Sequence, residues 1–331
     1  MQKSKSCSYK FFYGIPHAHS VYSTGRGTPI NAYEYALNKG LDFLIITDHN
    51  SFLSKNINVN NKTLSKWNST KYMCDKFNRK HDSFLSMIGF EAKSPLYGDM
   101  NIINPITFFK GNITDLRLVV LWMLNNPDSI ITINHPHKNI LNLKYNEILN
   151  KIITSIEVGN GAYTEKYKRH DIYYYELLDK GWKLGAINSQ DNHRINFGDY
   201  DNLTVIIAKE LNNENLINAF RNRTTYSTES RTLKFFFTIN NHIMGSEIER
   251  KDKLRFYVFA EDSINKIKSI ELVTNNNTII KGISDINLHT VKYIYEHKPL
   301  ANETWYVIRI HQSNNRLAIS SPIFLNNEIT L

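Results

Sequence analysis

The chain has 331 residues, 41% of them hydrophobic and 12% aromatic, enough for a packed core and too many for a minimal domain. No stretch approaches the roughly 20 apolar residues that cross a bilayer, and two cysteines, Cys7 and Cys74, rule out both a disulfide framework and a thiolate zinc cluster. The net charge of +9 is spread over lysines mixed with acids, so it supports an acidic, phosphorylated ligand mildly and leaves nucleic acid disfavoured.

In chain order, Met1 to Tyr9 is polar and lysine-bearing with no apolar core of a secretory signal, so a cytoplasmic location with two free thiols is expected. Phe11 to Tyr13 opens a series of compact apolar runs: Asp42 to Thr47, Ser86 to Phe90, Ser129 to Asn134, Ile152 to Val158, Leu184 to Asn188 and Leu203 to Ala208. Between them the patterning predicts helices over Pro29 to Lys39, Ile113 to Asn125 and Tyr167 to Lys180, the first and last stopped by Gly40 and Gly181. Asn56 to Thr63 reads as a polar loop. Unbroken apolar runs alternating with helices predict parallel strands in a sheet or barrel. After about Arg231 the texture changes to short strands, Leu233 to Ile239, Leu254 to Ala260, Ser269 to Thr274, Thr278 to Lys281, Val291 to Tyr295 and Trp305 to His311, which predicts a small β-sandwich. The expected division is 10–228 for the α/β part and 229–331 for the β part.

Chemistry-bearing residues gather where the first series of runs ends. Asp48-His49 follows Phe43 to Thr47, Glu91 follows Met87 to Phe90, His135 follows Ile130 to Asn134, and Asp191 with His193 follows Gly185 to Asn188. The C-terminal ends of parallel strands surround one pocket, so residues far apart in sequence meet there. His17 and His19, two apart, point to one side of an extended backbone. Imidazole and carboxylate are the usual ligands of Zn, Mn and Fe, and a carboxylate bridges two ions. Taken singly, each motif has a plainer reading: a surface His-x-His, an Asp helix cap, a His-Pro-His turn. Their shared placement at strand ends argues for a site.

Pro16-His17-Ala18-His19-Ser20, Thr47-Asp48-His49, Gly89-Phe90-Glu91, Asn134-His135-Pro136 and Asp191-Asn192-His193 occur in the order of the motifs of the PHP (polymerase and histidinol phosphatase) superfamily, which residues 10–230 resemble. Tyr13 to Asn50 is most similar to the CehA/McbA-like branch of metallohydrolases. The resemblance implies a distorted β/α, TIM-like barrel with a di- or trinuclear site of Mn, Zn or Fe and phosphoesterase chemistry. It implies that His17, His19 and Asp191 hold one ion, that Glu91 bridges to a second held by His135, and that His49 and His193 hold a third.

Two departures stand out. Thr24 replaces a carboxylate expected near the third ion, and Gly98-Asp99-Met100-Asn101 replaces a His-bearing segment, leaving Asp99 as an oxygen ligand and favouring a harder metal. Asp48, Glu91 and Asp191 are the candidate catalytic carboxylates, with Asp48 expected to orient His49 or a water. Arg26 is the candidate for a substrate anion; Arg169, Arg194, Glu157 and His137 are weaker candidates, and His81, His170, His242, His289, His297 and His311 read as ordinary polar residues. The leading function is hydrolysis of a small phosphorylated ester, with a carboxylic ester or carbamate hydrolase and a non-catalytic metal-stabilised binding module as the alternatives.

Overall fold

A computed structural model describes residues 9–59, 61–163 and 166–326; Cys7 lies outside them. The seven apolar runs become β1 (Lys10–Ile15), β2 (Phe43–Ile46), β3 (Leu85–Ala92), β5 (Ile130–Ile133), β6 (Ile153–Asn160), β7 (Gly185–Ser189) and β8 (Leu203–Ala208), while β4 (Met100–Ile103) and β9 (Thr225–Thr228) are strands that none of those runs predicts. Among the described residues six α-helices lie between them: α1 (Pro29–Asn38), α2 (Lys66–Asn78), α3 (Leu116–Met123), α4 (Glu147–Ile152), α5 (Asp171–Asp179) and α6 (Asn213–Arg221). Thr28 starts α1 with a reciprocal cap: its hydroxyl accepts the Asn31 N–H while its own N–H donates to Asn31 Oδ1. Helix α5 starts at Asp171, later than its pattern predicts, because Lys168–Arg169 pair with the end of β6 instead. Asn56–Val59 and Lys62–Ser65, read as loop from their polarity, form a hairpin, with Asn61 in the left-handed conformation that asparagine tolerates.

The strands lie in one large mixed sheet. Its first part has the order β7-β6-β5-β4-β3-β2-β1-β8-β9. Strands β1, β2 and β3 run parallel, as do β5, β6 and β7, but β4 is antiparallel to both neighbours. The free edge of β7 turns toward β8 and β9, where side chains satisfy it in place of a ladder. Thr204 Oγ1 accepts the Asn188 N–H (2.9 Å) and donates to Asn188 O (2.7 Å), while the Ser321 and Thr225 hydroxyls meet Ala186 N and O. Inside this curl sits an apolar plug of Phe43, Ile45, Met87, Ile103, Ile130 and Ile187, shared with residues of α6. Alternate residues of the same strands, among them Phe90, Ala92, Met100, Ile102, Ile131 and Ile133, face outward into the core under α3 and α5.

The C-terminal strands are β10 (Leu233–Ile239), β11 (Leu254–Asp262), β12 (Ile267–Thr274), β13 (Thr278–Ile283), β14 (Thr290–His297), β15 (Trp305–Gln312) and β16 (Leu317–Ser320). They do not form two sheets of their own. β16 pairs with β9, so that β16, β15, β12 and β13 continue the large sheet, while β10, β11 and β14 with His242–Ile243 make a separate four-stranded layer against it. The alternating burial of β10 and β11 reflects one packed and one solvated face. The two halves are tied by stacked Tyr175 and Trp305 rings (6.0 Å, 12°) and by the Tyr13 and Tyr226 hydroxyls, which both donate to Leu233 O. Buried Asp262 accepts from Ser230, Thr232, Gln312 and the N–H groups of Ile264 and Asn265. These bonds outweigh burial and bring its carboxyl down to about 2.

Candidate metal centre

The chain just beyond β1 is stitched to the chain beyond β7. Asp191 N–H donates to His17 O (3.1 Å) and His19 N–H to Asn192 O (2.9 Å), with Ala18 and Asn192 paired as a parallel bridge. This extended stretch places the two imidazoles side by side, their Nε2 atoms 3.2 Å apart and both rings 0% exposed. Glu91, still inside β3, reaches the middle of the site. Its Oε1 lies 3.4 Å from His17 Nε2 and 3.3 Å from His135 Nε2, its Oε2 3.3 Å from His19 Nε2 and 3.0 Å from His49 Nδ1. Asp191 Oδ1 lies 3.3 Å from His17, 3.1 Å from His19 and 3.5 Å from His193.

Ligand atoms thus converge in three groups: His17, His19 and Asp191; His17, Glu91 and His135; and His19, His49 and His193. Seven of the eight metal-ligand candidates come together. Asp99 lies outside these groups, close enough for Glu91 to add to the effect of burial in raising its carboxyl. The His19-His49-His193 group has no carboxylate, and Thr24 is exposed.

The surroundings hold these ligands in orientation. Fully buried Glu157 accepts the His17 Nδ1–H on Oε1 (2.9 Å), which turns the Nε2 lone pair into the site; its Oε2 accepts the His135 N–H (2.6 Å) and Asn160 Nδ2–H (2.7 Å). An imidazole backed by a carboxylate is the usual outer arrangement of a metal-bound histidine. Asn134 Nδ2 donates to Glu91 Oε1 (2.9 Å). Among the described residues the Asp48 carboxylate meets neither the His49 ring nor a side chain of the three groups. It accepts the Ser20 N–H (2.8 Å) and the Ser20 and Ser23 hydroxyls, and Ser23 Oγ in turn lies 3.3 Å from His19 Nδ1. Its place is under the loop that carries His19. His135 (φ 24°) and Asp191 (φ 48°) adopt left-handed backbone, a strained conformation for such residues held here by the Glu157 and His17 O hydrogen bonds.

Among the other candidates, Arg26 is exposed. Arg194 lies over the Tyr163 ring (4.9 Å), Arg169 forms a two-pronged pair with Glu229, and His137 caps a short helical turn. His170, assigned no role from sequence, is close enough to Glu157 and His135 for both to act on its pKa, which burial lowers. Glu157 and Asn134 carried a signal, a polar residue at the inner end of an apolar run. Ser23 and His170 carried none.

Burial alone would lower the imidazole pKa values, but Glu91 and its carboxylate neighbours outweigh it. His17 is raised well above its ordinary value, and His19 and His135 are each pushed up to about 9. Burial opposes ionised Glu91 as well, yet His17 and the other rings hold it well below the usual carboxylate range. Crowded imidazoles around two ionised carboxylates, with no thiolate, suit borderline divalent cations. The residues fit such ions. Because the raised rings keep their protons until pH rises through about 9, a cation binding near neutrality displaces them. Calorimetric titration of metal-free protein in buffers of different ionisation enthalpy is expected to show proton release at neutral pH that fades above about pH 9, with apparent affinity rising over the same interval. Affinity independent of pH would contradict this charge state.

No family model matches the sequence. An uncharacterized protein of Chlamydia muridarum (strain MoPn / Nigg) is 26% identical over 169 residues, 44% of this chain and 27% of that protein, so the chain spans well under two thirds of its relative. A two-domain protein from Bacteroides vulgatus ATCC 8482, containing a predicted PHP-like metal-dependent phosphoesterase, superposes with a TM-score of 0.52 over 92% of this chain and 91% of its own, at 17% identity. The two share a fold. A provisionally assigned metal-dependent phosphoesterase from Bifidobacterium adolescentis ATCC 15703 aligns over 54% of this chain and 87% of its own, with a TM-score of 0.35 and 14% identity. Among the described residues no helix is long and apolar enough to cross a membrane.

Proposed function

We propose that the protein is a metal-dependent phosphoesterase of the PHP type, in the CehA/McbA-like branch, with two or three divalent ions held at the inner end of a distorted barrel formed by residues 10–228. The observation that carries this reading is Glu91, one buried carboxylate within 3.0–3.4 Å of four imidazoles delivered by three separate segments, those after β1, β2 and β5. Such a carboxylate is placed to bridge two cations. Bound divalent ions supply Lewis-acid activation of water and of the ester oxygens.

The chain's own residues do the rest. Glu157 fixes the His17 tautomer and anchors the His135 backbone, Asp48 fixes the loop of His19, and partly exposed His49, His135 and His193 leave one side of the site open to a substrate. Mn, Zn and Fe are the ions the donor set suits. The substrate is a small phosphorylated ester met in the cytoplasm, and residues 229–331 buttress the barrel.

A carbamate or carboxylic ester is the second reading, favoured by the arginines: Arg194 rests on Tyr163, and no residue of the three groups is paired with an arginine among the described residues. Protein reconstituted with each metal is expected to hydrolyse aryl phosphates or phosphodiesters and to lose that activity on chelation. Inactivity toward every phosphate, with turnover of aryl carbamates, would replace the first reading by the second.

A further inference from the structure

Asn101 is fully buried, and neither its Oδ1 nor its Nδ2 has a hydrogen-bond partner among the described residues. Leaving both ends of a buried amide unmatched costs on the order of 1–3 kcal/mol per group, so the position calls for an explanation. Its location supplies one. In the antiparallel pairing of β3 and β4, Asn101 stands directly opposite Glu91, and directly opposed residues project from the same face of a sheet. Ile103, two residues on and therefore on that face, belongs to the inner plug with Met87 and Ile130, whereas Met100 and Ile102 face the outer core. The Asn101 amide therefore lies inside the curl beside the Glu91 carboxylate, just above the apolar plug. On its other side stands Thr132, also fully buried.

We propose that Asn101 supplies its amide oxygen as a ligand to the divalent ion held by Glu91 and His135, a step that rests on the metal-dependent reading above. No hydrogen bond constrains which end of the amide faces that group. The donor set there becomes His17 Nε2, His135 Nε2, Glu91 Oε1 and Asn101 Oδ1, half oxygen, whereas the His19-His49-His193 group is all nitrogen. Neutral carbonyl oxygen suits harder cations such as Mn²⁺, and imidazole suits Zn²⁺ and Fe²⁺. The two positions therefore differ in metal preference, and the oxygen comes from Asn101 rather than Asp99.

The test is metal stoichiometry and affinity measured on the whole chain. Metal-free wild type, Asn101→Ala, Asn101→His and Asn101→Asp are titrated with Mn²⁺ and with Zn²⁺. Free Mn²⁺ is read by electron paramagnetic resonance, total metal by elemental analysis, and the fold by circular dichroism and melting temperature. Asn101→Ala is expected to weaken one Mn²⁺ equivalent by at least about tenfold, the loss that even an outer partner of a ligand causes, while other equivalents are unchanged. Asn101→Asp keeps that equivalent, and Asn101→His keeps it with its preference moved toward Zn²⁺. Unchanged stoichiometry and affinity in Asn101→Ala would overturn the assignment. So would a folded Asn101→Asp and a folded Asn101→His that both lack the equivalent. Wild-type protein that binds neither metal would instead overturn the metal-dependent reading itself.

Discussion

Replacing both His17 and His19 with alanine is expected to remove tightly bound metal and to lower hydrolytic activity by more than about 100-fold, since losing only an outer-shell partner of a metal ligand already costs about 10- to 100-fold. His17 belongs to two of the three ligand groups and His19 to two, so the pair touches every position. Both rings are fully buried and neither contributes to the apolar clusters, which keeps the loss local. Their removal leaves Glu91 and Asp191 with fewer cationic neighbours to offset burial, so the pKa values of these carboxyls are expected to move upward. Elemental analysis, activity and far-ultraviolet circular dichroism check the three parts. A folded double variant that retains its metal and its activity would refute the placement of the site.

Glu157 is where the second large effect is expected, although it ranks low as a candidate from sequence. In Glu157→Ala, the His17 Nδ1–H, the His135 N–H and the Asn160 amide lose their shared acceptor in a fully buried setting. Each unmatched buried donor costs about 1–3 kcal/mol, so a loss of stability on the order of 3 kcal/mol or more is expected in chemical denaturation of metal-free protein. The His135 backbone, left-handed at φ 24°, loses the bond that holds it there. Metal affinity is expected to fall about 10- to 100-fold, because the His17 tautomer is no longer set by a carboxylate. Glu157→Gln keeps an acceptor without the charge and is expected to fall between the two in both chelator competition and denaturation. Wild-type metal affinity in Glu157→Ala would show that the carboxylate holds only the fold.

The strand ends were legible because burial leaves a local mark. Phe43–Ile46 and Ile130–Ile133 are buried along their whole length, so they appear as unbroken apolar runs, and the polar residues that follow, Asp48-His49 and His135, stand out against them. Strand β4 was not legible as a strand. Met100–Ile103 is four residues long and holds a buried asparagine, and its pairing with β3 and β5 is set by partners elsewhere in the chain. The same holds for the C-terminal strands: alternation along β10 and β11 was readable, but nothing local says that β16 pairs with β9 and carries the large sheet onward.

Local pattern along the chain marks the candidate ligands and the segments that deliver them: His17 and His19, His49, Glu91, His135, Asp191 and His193 each follow or end an apolar run, a property of neighbours in sequence. Only the tertiary structure decided which residues back them. Glu157 meets His17 across 140 residues and Asn134 meets Glu91 across 43. Asp48 turned out to hold the His19 loop rather than His49, and strand register put Asn101 opposite Glu91. The physical reason is that a strand alternates its faces with a period of two, so a register shift of one residue exchanges what points inward. That register is set by pairing between distant segments, and composition and local pattern carry no record of it.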